Sequence, residues 1–261
     1  MDISLKGKNA LVCGSSMGIG KASAIVLSQL GANVTLVARS EDKLRDVLNE
    51  LDNSDEQDHD YLVVDFSERE DLKGKISELI AKKSIHILIN NTGGPPGGPI
   101  VDASSEAFLD AYGKHLLCNH LLSTLLIPGM KESGYGRIIN IISTSVKSPI
   151  PGLGVSNTTR GAVASWAKTL ASEVGPHGIT VNNVLPGFTS TDRLDQIVKS
   201  RAQKFGMSEE ESSNAMKSTV PMNRFADPSE VANAVGFLAS PAASYITGIG
   251  VPVDGGRTKC L

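Results

Sequence analysis

The sequence predicts a single α/β domain, a doubly wound sheet of about seven parallel strands with helices on both faces, and three observations carry that prediction. The first is a series of short β-branched runs: ALVC (10–13), VTLVA (34–38), YLVV (61–64), HILIN (86–90), RIINII (137–142), ITVNNVL (179–185) and GVPV (250–253). They are near-continuously apolar rather than alternating, as expected for strands buried on both faces of a parallel sheet. The second is the longer segments between them, which carry helical spacing, as in Ala22, Ile25, Val26 and Leu30 or Leu44, Val47, Leu48 and Leu51. Strands alternating with such helices are the doubly wound pattern, in which ligands bind at the carboxyl ends of the strands. The third is size: 261 residues at 40% hydrophobic suffice for one large core.

Taken in order, the first strand runs into LVCGSSMGIG, whose Gly14, Gly18 and Gly20, with Ser16 and Ile19 between them, occupy a strand-to-helix turn. Glycines there let backbone amides approach a pyrophosphate, which the amino terminus of the following helix stabilises. This is the Rossmann-type arrangement. The second strand ends in Ala38-Arg39-Ser40, where an NAD-selective site would place an acidic residue on the ribose 2′-hydroxyl. Arg39, with Ser40 as a second donor, matches a 2′-phosphate instead, so NADP is favoured over NAD. After the fourth strand comes GGPPGGP (93–99), stiff at its prolines and permissive at its glycines, a loop suited to shaping the mouth of a pocket. After the sixth comes a polar stretch, about 192–220, with a helical pattern at Leu194, Ile197, Val198 and Arg201 and a second helix start at Ser208-Glu209-Glu210-Glu211. It is expected to form a substrate lid. No linker or repeat divides the chain, so residues 1–261 are taken as one domain.

Charge and composition exclude several classes. The formal net charge is −3, and Lys and Arg are spread along the chain, so no basic stripe indicates nucleic acid or an anionic membrane surface. No apolar run reaches the roughly 18 residues of a membrane span, and the amino terminus lacks a signal-peptide pattern. A cytoplasmic protein is expected. Three cysteines, Cys13, Cys118 and Cys260, are widely spaced and indicate neither a disulfide framework nor a metal site.

Five further motifs complete the reading. They are Asp65 in VVDFSE, Asn90-Asn91-Thr92-Gly93, the segment from Gly136 to Val163 (GRIINIISTSVKSPIPGLGVSNTTRGAV), Pro186-Gly187 with Thr191, and SYITGIGVPVDGG (244–256). With the glycine turn, and in this order, they resemble the short-chain dehydrogenase/reductases, most nearly the 3-oxoacyl-carrier-protein-reductase type, from Leu5 to about Gly256. The resemblance implies hydride transfer between a nicotinamide and a carbonyl or secondary alcohol. It also implies that Asp65 contacts the adenine, that Asn91 and Gly93 lie beside the cofactor, and that Pro186, Gly187 and Thr191 receive the nicotinamide. A homodimer or homotetramer is implied as well; the apolar residues of Ala162 to Leu170, including Trp166, are compatible with such an interface and equally with the core of one chain.

The resemblance departs at the reacting groups. The family's Asn, Ser, Tyr and Lys fall on His115, Ser143, Ser156 and Arg160, with Asn119 as the match to the Asn if the alignment shifts by one turn. Ser156 is far less acidic and shorter than a phenol, and Arg160 releases no proton at ordinary pH but can hold ribose hydroxyls. Three proton sources stay open: His115, Lys147, or water while Ser143 and Ser156 hold the substrate oxygen. An atypical oxidoreductase is the first reading. A catalytically silent nucleotide-binding sensor or scaffold is the alternative, and a redox-independent enzyme such as a dehydratase is the third.

Overall fold

A computed structural model describes residues 1–260. The seven apolar runs form seven strands: β1 (Asn9–Cys13), β2 (Asn33–Ala38), β3 (Asp60–Val63), β4 (Ile87–Asn90), β5 (Gly136–Ile141), β6 (Ile179–Pro186) and β7 (Gly250–Val253). All pair in parallel, in the order β3-β2-β1-β4-β5-β6-β7. Between β1 and β4 the winding reverses direction, and such a reversal opens a crevice at the carboxyl ends of the strands. Pro252, which cannot donate to a ladder, sits in the edge strand β7, where that deficit is tolerated.

The alternation of side chains along each strand divides the core in two. Ala10, Val12, Ile87 and Ile89 point to one face, under α1 (Gly18–Gln29), α2 (Glu41–Leu48) and α9 (Pro228–Ala239). Leu11, Cys13 and Leu88 point to the other, under α3 (Arg69–Ile80), α5 (Cys118–Glu132) and α6 (Gly154–Val174). The expected stripe of α1 is rotated by about one position. Ala24 and Leu27 are fully buried against the sheet, whereas Ile25 and Leu30 are partly buried, and Val26 and Leu30 lie against Gly236 of α9. A helix lying between a sheet and a second helix buries two adjoining stripes, and spacing alone finds one of them.

Three features shape the carboxyl end of the sheet. α4 (Ser105–Tyr112) continues into α5 through a π-helical turn, Gly113–Leu117, a widening of the helix that often marks functional positions. The proline–glycine loop is pinned to the approach of α6, where Gly98 N–H donates to the Gly152 carbonyl at 2.7 Å. The 192–220 segment forms α7 (Asp192–Phe205) and α8 (Glu209–Lys217), the latter opened by the expected capping box of Ser208 and Glu211. Leu194, Val198 and Met216 form their own small core with Phe188 and Phe225. Among the described residues, no helix is long and apolar enough to cross a membrane, and no group of His, Cys, Asp and Glu is placed to hold a metal. Cys13 and Cys118 are buried thiols, and Cys260 is exposed.

Candidate active site

The crevice is one cleft of about 950 Å³ that runs along the carboxyl ends of the strands. Its floor begins at the glycine turn. Gly14 has φ +61, and a Cβ there would stand 2.3 Å from the Asn91 carbonyl oxygen, while a Cβ on Gly20 would stand 2.1 Å from the Gly14 carbonyl oxygen. Only glycine lets the three backbones meet. Asn91 fastens the turn from the other side, its Nδ2 donating to the carbonyls of Cys13 and Gly14 at 3.3 and 3.2 Å. Gly20 is therefore a packing position and does not line the cleft, whereas Gly14, Ser16, Gly18 and Ile19 do. Met17 gives α1 no side-chain cap, so the first-turn amides are left for a ligand.

At the β2 end, Arg39 and Ser40 line the cleft, together with Lys43 from the first turn of α2. Arg39 stands 3.8 Å from Asp65, an exposed pair of little worth that a stronger anion can displace. Hydrogen bonds from the backbone and side chain of Ser67 hold the Asp65 carboxyl below its ordinary range. Further along lie Gly93, Pro186, Gly187 and Thr191. The cleft presents Arg39, Lys43, Lys114, Arg160 and Arg193 against only two carboxylates, Asp65 and Asp192. Positive charge therefore predominates along it.

Near the end of β5 the cleft is lined by Ser143, Ser156 and Arg160. Ser143 follows the strand in an extended conformation, and its Oγ accepts the Ser145 N–H at 3.0 Å. Ser156 lies in the first turn of α6, and Arg160 one turn later. The Arg160 guanidinium is buried and donates to the carbonyls of Ile141 (3.0 Å) and Thr92 (3.2 Å). Loss of solvent brings it down to about 10, still protonated at neutral pH. No tyrosine lines the cleft among the described residues. Tyr135 donates its hydroxyl to the Ala239 carbonyl, Tyr61 to Glu41, and Tyr112 and Tyr245 are exposed.

Two proton-donor expectations are corrected. Lys147 is exposed and does not line the cleft. His115, expected to titrate near neutrality, lies in the π-helical turn at 1% exposure, its Nδ1 sharing a hydrogen bond with the Thr92 hydroxyl. Burial, then the Arg160 and Lys114 charges, push its imidazole down to about 3. It is neutral at pH 7 and does not reach the cleft. Asn119 is also buried, but only His115 joins, through Thr92, the group that holds Arg160.

This has a stability consequence. The unfolded imidazole titrates near 6.5, so below that pH the unfolded chain takes up a proton that the folded chain refuses until about pH 3. The stability is complete above pH 6.5 and falls with pH. Between pH 7 and pH 5 the loss from this one group approaches roughly 2 kcal/mol. His115→Asn, which keeps a partner for Thr92, should remove that loss. Urea midpoints at both pH values measure it, and an equal decline in wild type and variant would contradict it.

Some cleft residues were not foreseen. Lys43, Lys114, Phe66, Phe188 and Arg193 line it, and the only signal for Lys43 was a basic residue one turn into the helix after Arg39.

Comparison with known proteins agrees with this architecture. Residues 14–258 match the model of the family described as enoyl-(acyl carrier protein) reductase. The chain is 33% identical over 254 residues to the 3-oxoacyl-(acyl-carrier-protein) reductase FabG of Rickettsia felis, covering 97% of this chain and 98% of that one. The crystal structure of L-sorbose reductase from Gluconobacter frateurii, complexed with NADPH and L-sorbose, superposes with a TM-score of 0.93 at 31% identity and full coverage of both chains. YwfH, an NADPH-dependent reductase involved in bacilysin biosynthesis, superposes with a TM-score of 0.91 at 28% identity, covering 97% of this chain and 99% of that one. The chain belongs to the short-chain dehydrogenase/reductase family of NAD(P)-dependent oxidoreductases.

Proposed function

We propose that the protein is an NADP(H)-dependent oxidoreductase that interconverts a carbonyl and a secondary alcohol, with a proton relay that dispenses with the family's tyrosine. The observation that carries this reading is a single cleft lined by the glycine turn, the Arg39–Ser40–Lys43 cluster and the Ser143–Ser156–Arg160 group. A nicotinamide dinucleotide fits the residues present: the cramped Gly14 backbone and the uncapped start of α1 suit a pyrophosphate, and Arg39, Ser40 and Lys43 suit a 2′-phosphate. Asp65 serves the adenine, Asn91 and Gly93 the middle of the dinucleotide, and Pro186, Gly187 and Thr191 the nicotinamide end, with Arg160 on its ribose. When bound, the cofactor supplies the hydride.

The chain's own residues supply the rest. Ser143 and Ser156 hold the substrate oxygen by hydroxyl donors, and the nearby Arg160 charge stabilises the negative charge that grows on it. Water carries the proton, since His115 is neutral and buried and no phenol lines the cleft. His115 positions Thr92, whose carbonyl accepts from Arg160. α7 and α8 act as the substrate lid, tied to the proline–glycine loop by Arg193, which donates to the Pro95 carbonyl at 3.0 Å. A homodimer or homotetramer belongs to this proposal as what the family resemblance implies. A second reading, a silent nucleotide-binding sensor, is favoured by one specific observation, the lack of any tyrosine along the cleft among the described residues.

Cofactor choice is directly testable. Arg39→Ala should weaken NADPH binding by roughly ten- to a hundredfold, the worth of a hydrogen bond to a charged group, and leave NADH binding unchanged. Isothermal titration of both nucleotides measures this. Equal loss for both, or for neither, would remove Arg39 from the 2′-phosphate site.

A further inference from the structure

The Arg160 guanidinium presents a problem that cofactor binding does not solve. It is 8% exposed, lines the cleft, and among the described residues has no carboxylate within ion-pair distance. Two of its five N–H groups are taken by the carbonyls of Ile141 and Thr92, which leaves three donors and an uncompensated charge. A buried charge without a counter-charge is costly, so such a group is a site for an anion that arrives from outside.

The dinucleotide does not bring that anion to this place. Its phosphates match the turn after β1 and the cluster after β2, whereas Arg160 is held at the ends of β4 and β5. β4 is the neighbour of β1 and β5 the strand beyond it, so Arg160 stands one to two strand spacings, roughly 5–10 Å, from that turn, outside ion-pair reach. Ribose hydroxyls can occupy N–H donors but carry no charge. A second cation reaches the same loop. Arg193, at the start of α7, bonds Pro95, and a Cβ on the adjacent Gly94 would lie 3.9 Å from Arg160 Nη2. Two arginines thus flank one turn of the proline–glycine loop, one from the floor and one from the lid. Asp192 accompanies Arg193 on α7.

We infer that the substrate is a 2-oxo acid or its 2-hydroxy counterpart, its carboxylate held by the fork of Arg160 and covered by Arg193, and its reacting oxygen held by Ser143 and Ser156. Arg160 follows Ser156 by one helical turn and bonds the carbonyl two residues before Ser143, so the anion and the carbonyl must be close neighbours in the same small molecule. Guanidinium matches a carboxylate edge with two parallel hydrogen bonds, which an ammonium group cannot do. This inference rests on the oxidoreductase reading of the cleft.

Calorimetric titration tests it without relying on turnover. Oxamate, 4-methyl-2-oxopentanoate and 2-oxoglutarate are each titrated beside the uncharged amide or methyl ester, into the protein alone and after saturation with NADP+. At least one acid should bind tenfold or more tighter than its neutral counterpart, and R160M should abolish that difference. R193M should reduce it. If R160M fails to fold by circular dichroism, R160K takes its place: weaker acid binding with some preference kept supports the inference, and unchanged affinity overturns it. Equal binding of acids and neutral analogues by wild type, or a preference that survives in R160M, overturns it. Failure of NADP+ to bind in the same titrations counts against the cofactor reading alone, because the acid preference is read on the unliganded protein too.

Discussion

Gly14→Val should lower the melting temperature by roughly 10 °C and abolish any further rise on adding NADPH. Gly14 has φ +61, which a β-branched residue adopts only under strain of about 1–3 kcal/mol. Its new Cβ would stand 2.3 Å from the Asn91 carbonyl oxygen and 2.8 Å from Asn91 Nδ2, adding an overpacking cost of about 1–3 kcal/mol. Relief requires the β1 turn and the Asn91 loop to separate, which breaks both hydrogen bonds from Asn91 Nδ2. The same movement displaces the amides that would meet the pyrophosphate. Stability and nucleotide binding therefore fall together, and thermal melts with and without NADPH report both. A variant with wild-type melting and a wild-type NADPH shift would mean that this turn neither packs nor binds as described.

Ser143→Ala should reduce kcat/KM for carbonyl reduction by about a hundred- to a thousandfold, the usual loss when one donor to a developing oxyanion is removed. NADPH affinity should stay within about twofold of wild type. The Ser143 hydroxyl makes one protein contact, accepting from the Ser145 amide, so its proton is free to donate into the cleft. Ala removes the donor while leaving the extended backbone at the end of β5 undisturbed. The loss should appear chiefly in kcat, because the bond strengthens as charge builds on the substrate oxygen. Steady-state kinetics with NADPH absorbance separate the two constants. An unchanged kcat would place the substrate oxygen elsewhere.

Much of this was legible because burial on both faces writes a strong local signal. The run ITVNNVL became β6 and HILIN became β4 with little adjustment, since β-branched residues bounded by polar turns admit few alternatives. Ser208 and Glu211 announced α8 by capping chemistry that lies wholly within four residues. What the sequence concealed depends on distant neighbours. The buried stripe of α1 was shifted because α9, more than 200 positions later, covers a second side of it. His115 read as a neutral-pH acid until the π-helical turn buried it beside Arg160, and no local pattern announces that turn. Arg160 itself was readable as a cation in the cleft, but its lack of a counter-charge is a property of the assembled fold.

The proposed chemistry is carbonyl reduction in this cleft with Ser143 as oxygen ligand and without a tyrosine acid. One set of assays addresses it most directly: NADPH oxidation followed by absorbance over a panel of carbonyls that includes 2-oxo acids, for wild type and for the Ser156→Tyr/Arg160→Lys double variant. Turnover by wild type, with 2-oxo acid reduction diminished in the double variant, is the expected result. Activity that appears only once tyrosine and lysine are installed would contradict the claim and identify the native chain as a silent nucleotide binder.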